Sequence, residues 1–420
     1  MNTTPDHSRP ATAFLSYKRE DAQQVKRLQQ HLKARGVRAW RDITDMPLGG
    51  FTEDEIKQAI KQESDAFVIY ITPECLQSDF IWDIEVRAAL QRWEQDHDFN
   101  IIPILQGVTL AQVQQNSTAR GYRSLTEFNA VSLPDPDQDK ELQSIAERIL
   151  KATYTLRLRR IGADRTYEPH VNFHTFHYEP PTPSLDLDLD WTELFEGKDE
   201  VPTGDVWENI LFPALIDVKN MLSAKTSSRK LHVYLNARLP AAIALGAAIP
   251  ATAHFELLLQ SDHGAWSTKG TPADPSPLCL IPFHEKGDAQ SALIEIAISR
   301  NTAPGIAQSL PSLNISYKHH LRFEPKDEPP GSDAVKDASH AIAMAQQIGK
   351  ELRSLCDNKS ISHLHLFAAL PVELAVEKKF GADALRVFDL RQAMARRRLT
   401  GAPGTQEVGK QLARWKRLIG

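Results

Sequence analysis

A carboxylate and an indole stand three residues apart in the segment SDFIWDIEVRAAL, at Glu85 and Trp82. The surrounding pattern predicts a helix over 80–96, and side chains three apart on a helix face the same side. A carboxylate held in a cleft can stabilise positive charge that develops on a bound molecule. A glutamate on an amphipathic helix can equally be a solvated surface residue, and a lone tryptophan can belong to the core. Both interpretations stay open at this point.

Trp82 and Glu85 must be positioned by the elements around them, and strands and helices alternate along the first 160 residues. Apolar runs predict strands at 12–16, 37–41, 66–72, 100–105 and near 128–133, and amphipathic runs predict helices at 21–35, 52–62, 80–96 and 139–160. Strands that are apolar throughout and joined by helices indicate a doubly wound parallel α/β sheet. Asp21 is the predicted N-cap of the first helix, and Gly36 its stop.

Composition limits the class of protein. The chain has 420 residues, of which 41% are hydrophobic and 25% charged, and its net charge is −5. Two or three domains are predicted, and both a globally disordered chain and an overall basic nucleic-acid binder are excluded. Three dispersed cysteines argue against a disulfide framework and fit a reducing cytoplasm. No secretory signal pattern begins the chain, and the apolar run 239–253 is short enough to predict a buried helix.

Charge is distributed unevenly along the chain. Residues 186–205 have a net charge of −7, and residues 386–420 have a net charge of +7. The basic tract is predicted to bind an acidic partner or another protomer, or to be a solvated tail. Head-to-tail contact between the two tracts would build an open filament. His170 and His174 fall on one face of an extended segment and His177 on the other, so no metal site is predicted.

A weak internal repeat organises the second half. The segments LHVYLNARLPAAIALG at 231–246 and LHLFAALPVELAVEKKFG at 364–381 each predict a strand, a turn, a Leu-Pro pair and a helix. An apolar strand follows each copy, and a long helix precedes it. This order predicts a duplicated Rossmann-like domain. Between the halves, the period-two alternation at 185–190 predicts an edge strand with one anionic face, or part of a linker.

Three blocks of the first half resemble the signature of Toll/interleukin-1 receptor (TIR) domains. They are FLSYKRED at 14–21, WRDITDMPLGG at 40–50 and SDFIWDIEVRAAL at 78–90, and they occur in the family's order. The family usually has Ser-x-Trp-x-x-x-Glu, whereas here Trp82 lies only three residues before Glu85. The resemblance implies a flavodoxin-like TIR domain with a parallel sheet over residues 1–160.

Many TIR domains are NAD⁺ glycohydrolases, so the resemblance implies that Glu85 is catalytic. The nicotinamide departs as a neutral molecule, and one carboxylate can stabilise the oxocarbenium-like sugar without a general acid. NAD⁺ is then a substrate, and neither a cofactor nor a metal is expected. Ser78 and Asp79 suit an N-cap equally well. The implied substrate-binding residues are Ser16, Tyr17, Trp40, Asp42, Leu48, Phe51, Ser78 and Trp82, with Leu48, Gly49 and Phe51 as a mobile lid.

The repeat blocks, placed after a TIR domain, are similar to SAVED domains, the sensors fused to effectors in bacterial anti-phage signalling. The resemblance implies a linker and sensor start at 161–205, then two fused CARF- or Rossmann-like halves at 206–330 and 331–420. Such sensors bind cyclic oligonucleotides, often cyclic tri-adenylate, which need cations for phosphates and aromatic planes for bases. The candidate ligand contacts are Asn236, Arg238, Trp266, Phe283, Ala368, Arg386 and Arg391.

The expected function is a cytoplasmic NAD⁺ glycohydrolase that a cyclic oligonucleotide activates by assembling TIR domains, so that the cell loses NAD⁺ and the infection aborts. No membrane and no long nucleic acid are expected as partners. One alternative is a non-catalytic TIR scaffold that recruits other proteins, although metazoan-type adaptors would be expected to lack a carboxylate at Glu85. Another is a nucleoside-processing transferase of similar topology.

Overall fold

The computed structural model describes most of the chain. The described residues are 9–41, 53–135, 137–177, 184–195, 202–249, 255–261, 264–273, 277–284, 287–288, 290–313, 315–359, 361, 363–371, 374, 376 and 388–389. They form two compact units, one from 1–172, 179–190 and 209–228, the other from 173–178, 191–208 and 229–420. The basic tract predicted at 386–420 lies almost entirely outside the described residues. The domain boundaries near 160 and 205 stay predictions.

A five-stranded parallel sheet forms the centre of the first unit. Its strands are β1 (Thr12–Ser16), β2 (Arg38–Arg41), β3 (Ala66–Ile71), β4 (Asn100–Leu105) and β5 (Val131–Ser132). They lie in the order β2-β1-β3-β4-β5, and each neighbouring pair is parallel. This is the flavodoxin-like order, in which the direction of winding changes between β1 and β3. The predicted parallel sheet is confirmed.

Helices alternate with these strands. They are α1 (Ala22–Ala34), α2 (Glu53–Gln58), α3 (Pro73–Leu76), α4 (Arg87–Gln95), α5 (Leu110–Ala119) and α6 (Asp139–Arg160). A π-helical segment, Ala59–Glu63, extends α2, and another, Ile81–Val86, leads into α4. Helix α5 was not predicted from the sequence, although Thr109 and Gln112 form a capping box at its start.

A second sheet has the order β10-β9-β8-β6-β7. Its strands are β6 (His170–His174), β7 (Leu187–Asp190), β8 (Lys230–Asn236), β9 (Glu256–Ser261) and β10 (Gly264–Ser267). The helices of this region are α7 (Gly204–Val206), a π-helical segment (Trp207–Leu211), α8 (Phe212–Lys225) and α9 (Leu239–Ala248). The predicted edge strand is confirmed by β7, which buries Leu187 and Leu189 and leaves Asp188 and Asp190 partly exposed, but Asp186 before it is fully buried and pairs with Arg157 at 3.0 Å.

A third sheet has the order β11-β13-β12-β14-β15. Its strands are β11 (Leu278–His284), β12 (Ser291–Ala297), β13 (His319–Pro325), β14 (His363–Ala369) and β15 (Phe388–Asp389), with helices α10 (Ala303–Leu313) and α11 (Ala338–Lys359).

The second and third sheets share a strand order. In the second sheet, strands β6 to β9 lie in the order β9-β8-β6-β7, and in the third sheet strands β12 to β15 lie in the order β15-β14-β12-β13, which is the same arrangement. The shared order agrees with the predicted duplication, and the predicted boundary at 331 between the two copies stays a prediction.

The apolar run predicted as a buried helix is α9, whose residues are nearly all buried. The rest of that run, from Pro250 to Ala253, lies outside the described residues. Among the helices that the structure describes, none has the length and apolar character of a bilayer span.

Gly36 forms a close contact between the α1–β2 turn and β7. Its φ is +82°, and its carbonyl oxygen accepts the Asp188 N–H at 3.0 Å. A Cβ at this position would lie 2.8 Å from both Leu187 Cβ and Leu189 Cδ1. Glycine is therefore required here both by the left-handed backbone and by the neighbouring strand.

Gly36→Ala should lower the free energy of unfolding by about 2–4 kcal/mol, because left-handed strain and overpacking add. Urea unfolding of the full chain measures the loss. Gly121→Ala is the matched control, since Gly121 has φ +70° and no atom within 4 Å of the added Cβ. That variant should lose only about 1–2 kcal/mol. Equal losses in the two variants would contradict the close contact.

A buried ion pair joins α1 to α8 within the first unit. The Arg35 Nε and Nη2 atoms lie 2.9 Å and 2.8 Å from Asp217 Oδ2, and the Arg35 side chain is fully buried. Nη1 of Arg35 also donates to the His31 carbonyl oxygen at 3.0 Å. Burial raises the pKa of Asp217 above its ordinary value, although the Arg35 charge opposes the change. Desolvation of the two charges thus offsets much of their attraction.

Candidate functional site

Glu85 lies at the carboxyl edge of the first sheet. It belongs to the π-helical segment Ile81–Val86 and is 4% exposed. Its Oε2 atom accepts a hydrogen bond from Ser16 Oγ at 2.5 Å, and Ser16 is the last residue of β1. This hydrogen bond ties the segment after β3 to the end of β1, where ligands of flavodoxin-like sheets bind. Short π-helical segments are frequent at functional sites.

The surroundings of Trp82 fit its alternative interpretation as a core residue, and its predicted place in a cleft beside Glu85 stays a prediction. Trp82 is fully buried, and its indole N–H donates to the Cys75 carbonyl oxygen at 3.1 Å. Residues three apart share a face in an α-helix, but the i→i+5 hydrogen bonds of a π-helix widen the turn and separate them. The structure therefore places Trp82 in the core.

The other predicted substrate-binding residues occupy different surroundings. Trp40 is 7% exposed and stacks on Phe14 with ring centroids 4.6 Å apart. Tyr17 follows β1 and is almost buried. Ser78 Oγ accepts the Ile81 N–H at 3.5 Å, which fits its alternative interpretation as a helix cap. Asp42, Leu48, Gly49 and Phe51 lie outside the described residues.

Asp21 is a second buried carboxylate at this edge, and the sequence predicts it only as the N-cap of α1, the position that it occupies. Its side chain makes no capping hydrogen bond to α1. Oδ2 of Asp21 instead accepts a hydrogen bond from Thr72 Oγ1 at 2.8 Å. Burial raises the pKa of Asp21 above its ordinary value, against the effect of the Thr72 hydrogen bond.

Cys75 lies near both carboxylates. The thiol is fully buried, and its pKa is raised to about 12, first by burial and then by the negative charge of Glu85, with a smaller contribution from Asp21. A thiol with this pKa stays protonated at neutral pH and is a poor nucleophile. This edge of the sheet therefore holds two buried carboxyl groups, Glu85 and Asp21, of the kind that can stabilise positive charge developing on a ligand.

In the second unit, Arg238 lies next to an exposed aromatic ring. It is the N-cap residue of α9, and its backbone N–H donates to Thr175 Oγ1 at 2.8 Å. The guanidinium carbon lies 5.1 Å from the Phe176 ring centroid and 5.8 Å from that of Phe195. Phe176 is 46% exposed. Phe176 was not among the contacts predicted from the sequence, where more than sixty residues separate it from Arg238.

The other predicted ligand contacts are spread over both C-terminal sheets. Asn236 ends β8, and its carbonyl oxygen accepts the Thr175 N–H at 3.1 Å. Trp266 on β10 is 7% exposed, whereas Phe283 on β11 is 42% exposed, with its ring centroid 4.8 Å from that of His320. Ala368 is a half-buried residue of β14. Arg386 and Arg391 lie outside the described residues.

Comparison with known families assigns both halves of the chain. The TIR domain model matches residues 13–147. The SAVED model, described as the SMODS-associated and fused to various effectors sensor domain, matches residues 215–378. The chain carries a TIR domain followed by a SAVED domain. The SAVED match begins inside α8, a helix that belongs to the first compact unit.

Individual relatives resemble parts of this TIR–SAVED chain. CD-NTase-associated protein 4 of Enterobacter hormaechei subsp. hoffmannii (strain UCI 50) is 24% identical over 188 residues, which cover 44% of this chain and 36% of that protein. The Acinetobacter baumannii Cap4 SAVED/CARF-domain containing receptor with the cyclic trinucleotide 3'3'3'-cAAA is 14% identical, with a TM-score of 0.45 over 74% of this chain and 83% of that chain. The Moraxella osloensis Cap4 receptor is 16% identical, with a TM-score of 0.38 over 79% and 80%.

The SAVED domain also contains a buried polar cluster that the sequence analysis missed. Glu295 on β12 is 2% exposed and accepts hydrogen bonds from Thr302 Oγ1 at 2.6 Å and Arg322 Nη1 at 3.2 Å. His320 Nε2 lies 3.1 Å from the second carboxylate oxygen. Burial opposes ionisation, yet these partners hold the pKa of Glu295 below its ordinary value. The cluster ties the loop before α10 to β12 and β13.

Metal-binding side chains do not cluster in the part of the chain that the structure describes, where no group of three or more His, Cys, Asp or Glu could hold an ion.

Proposed function

We propose that this chain is a cytoplasmic NAD⁺ glycohydrolase of bacterial anti-phage defence that a cyclic oligonucleotide activates. In this proposal the SAVED domain binds the nucleotide, and the TIR domain cleaves the bond between nicotinamide and ribose. The observation that carries the proposal is Glu85, a buried carboxylate at the ligand-binding edge of a flavodoxin-like sheet. A scaffold that only recruits partners has no need of such a group.

The chemistry suits one carboxylate and needs no metal. The C–N bond to ribose breaks, and its electron pair goes to the nicotinamide nitrogen, which leaves uncharged. The ribose carbon becomes oxocarbenium-like, and the negative charge of Glu85 stabilises it. Water then adds to that carbon and releases a proton, which gives ADP-ribose. The Ser16 hydroxyl holds the carboxylate in place through its 2.5 Å hydrogen bond.

The activator binds the SAVED domain in this proposal. The surroundings of Arg238 suit a compact cyclic anion, because a cation for phosphate lies beside the exposed Phe176 ring on which a base can stack. The N-terminus of α9, which follows Arg238, adds a favourable dipole for an anion. Cyclic tri-adenylate is the first candidate.

Assembly is the proposed link between the two domains. A cyclic nucleotide would drive self-association of protomers, and the assembled TIR domains would become active. The opposite charges of residues 186–205 and 386–420, −7 and +7, support head-to-tail association into a filament.

Nicotinamide release tests the proposal directly. The full-length protein is mixed with NAD⁺, with and without a panel of cyclic di- and trinucleotides, while light scattering follows assembly. Release and a rise in scattering are expected with at least one nucleotide. Assembly without release would support the scaffold, and an absence of release with every nucleotide would remove the enzyme proposal.

Arg238→Gln should weaken binding of cyclic tri-adenylate by about 10- to 100-fold, since a charge-assisted hydrogen bond contributes about 1.5–3 kcal/mol. Isothermal titration at fixed salt measures the affinity. Arg229→Gln is the matched control, because Arg229 is also placed over an aromatic ring, that of Phe255 at 5.4 Å, but precedes β8 instead of following it. Similar affinities for both variants would show that Arg238 does not contact the nucleotide.

A further inference from the structure

A connected hydrogen-bond path leads from the N-terminus of α1 to the segment that carries Glu85. Thr72 Oγ1 donates to Asp21 Oδ2 at 2.8 Å and accepts the Cys75 N–H at 3.2 Å. The Cys75 carbonyl oxygen in turn accepts the Trp82 indole N–H at 3.1 Å. Trp82 lies within the same π-helical segment as Glu85, three residues before it.

Every residue of this path is buried. Thr72 is 1% exposed, Cys75 and Trp82 are fully buried, and Asp21 is 9% exposed. Hydrogen bonds in such surroundings are stronger than in water, and loss of one partner leaves the other with its desolvation cost. The path therefore restrains its members much more than a surface network would.

The π-helical segment depends on contacts of this kind. Its i→i+5 hydrogen bonds are less favourable than those of an α-helix, so neighbouring groups must hold it in register. The Trp82 indole is anchored to Cys75, and the Glu85 carboxylate to Ser16. Ser16 pairs with Ile69 across β1 and β3, and Thr72 directly follows β3. Ser16 and Thr72, on which these two contacts depend, thus lie at the carboxyl ends of the adjacent strands β1 and β3.

We propose that Thr72 is a positioning residue for Glu85, with Asp21 orienting its hydroxyl group. Thr72 fixes α3 through the Cys75 N–H, and the Cys75 carbonyl fixes Trp82 and hence the segment that presents the carboxylate. Thr72 acts on the carboxylate only through these neighbours. This inference rests on the proposed function, in which Glu85 stabilises a cationic sugar. A displacement of about 1 Å in such a group can cost about 100-fold in rate.

The test compares Thr72→Val with Thr72→Ser in the full-length protein at saturating cyclic nucleotide. The valine variant should lower kcat for nicotinamide release by about 10- to 100-fold and leave KM for NAD⁺ within about 2-fold. The serine variant keeps the hydroxyl group and should recover most of kcat. Thr153→Val is the matched control, because Thr153 is a fully buried threonine of α6 whose hydroxyl donates to the Ile149 carbonyl at 2.8 Å.

Amide hydrogen exchange gives a readout that does not need activity. Thr72→Val should speed exchange in residues 81–86 relative to wild type, whereas Thr72→Ser and Thr153→Val should not. Unchanged exchange in 81–86 for a folded Thr72→Val protein would overturn the positioning role. Unchanged kcat would overturn it as well. A wild-type protein that releases no nicotinamide would instead remove the proposed function, while the exchange experiment would still decide whether Thr72 holds the segment.

Discussion

Glu85→Gln should reduce nicotinamide release by about 10²- to 10³-fold at saturating cyclic nucleotide. The glutamine amide oxygen can still accept the hydrogen bond from Ser16, so the fold around the site should persist. What the substitution removes is the negative charge that would face the oxocarbenium-like sugar. The loss should appear in kcat with little change in KM, because the charge acts on the transition state more than on bound NAD⁺. Initial rates over a range of NAD⁺ concentrations measure both constants.

Glu94→Gln provides the control for that experiment. Glu94 is an exposed residue of α4, the helix that continues the π-helical segment of Glu85. The same loss of one carboxylate at Glu94 should leave kcat unchanged within about 2-fold. If release survives Glu85→Gln, the catalytic assignment of Glu85 is wrong, although the reaction itself could still occur. Binding of the cyclic nucleotide should be equal in both variants, which separates a chemical defect from a sensing defect.

The TIR sheet could be predicted from sequence because its strands are buried on both faces. Thr12–Ser16 and Asn100–Leu105 are apolar runs that end at polar residues, and both strands were predicted at their observed bounds. Helix α5 was not predicted because most of its residues are exposed. Its only buried residues are Val113 and Ser117, so it shows little apolar periodicity beyond its capping box.

The candidate site was harder to predict, since its geometry depends on long-range contacts and on an unusual helix. Glu85 could be selected by its motif, but the burial of Trp82 could not, because helical periodicity assumes an α-helix and the segment is π-helical. An aspartate before a helix ordinarily caps it, yet Asp21 bonds to Thr72, which lies 51 residues further along the chain. Local patterns do not encode such a partner.

The internal repeat of the SAVED domain predicted only some of its strands. The two Leu-His strands made the duplication visible, and both correspond to observed strands, β8 and β14. The repeat did not reveal β11 and β13, which form an antiparallel pair at the edge of the third sheet. Strand β11 carries an apolar run, LCLIPF at 278–283, that was not selected because it has no counterpart in the repeat, and β13, with the sequence HHLRFEP, has no such run.

Asp217→Leu should lower the free energy of unfolding by about 3–5 kcal/mol. The substitution leaves the Arg35 guanidinium fully buried without the carboxylate that lies 2.8 Å from it. This pair joins α1 of the TIR domain to α8, the helix in which the SAVED match begins. Urea unfolding of the full-length protein, followed by tryptophan fluorescence, measures the change. Glu53→Gln, which breaks the exposed Glu53–Lys57 pair of α2, should cost less than about 1 kcal/mol.

The double variant Arg35→Met, Asp217→Leu separates the loss of attraction from the cost of an unpaired charge. With both charges removed, no ion remains to be desolvated, and apolar side chains fill the space. The double variant should therefore be more stable than Asp217→Leu alone and lie within about 1–2 kcal/mol of wild type. Equal losses in the single and double variants would show that the packing of α8 against α1, and not the uncompensated charge, determines the cost. The raised pKa of Asp217 agrees with a double variant that is more stable than Asp217→Leu, because burial opposes the charge of this carboxylate even beside Arg35.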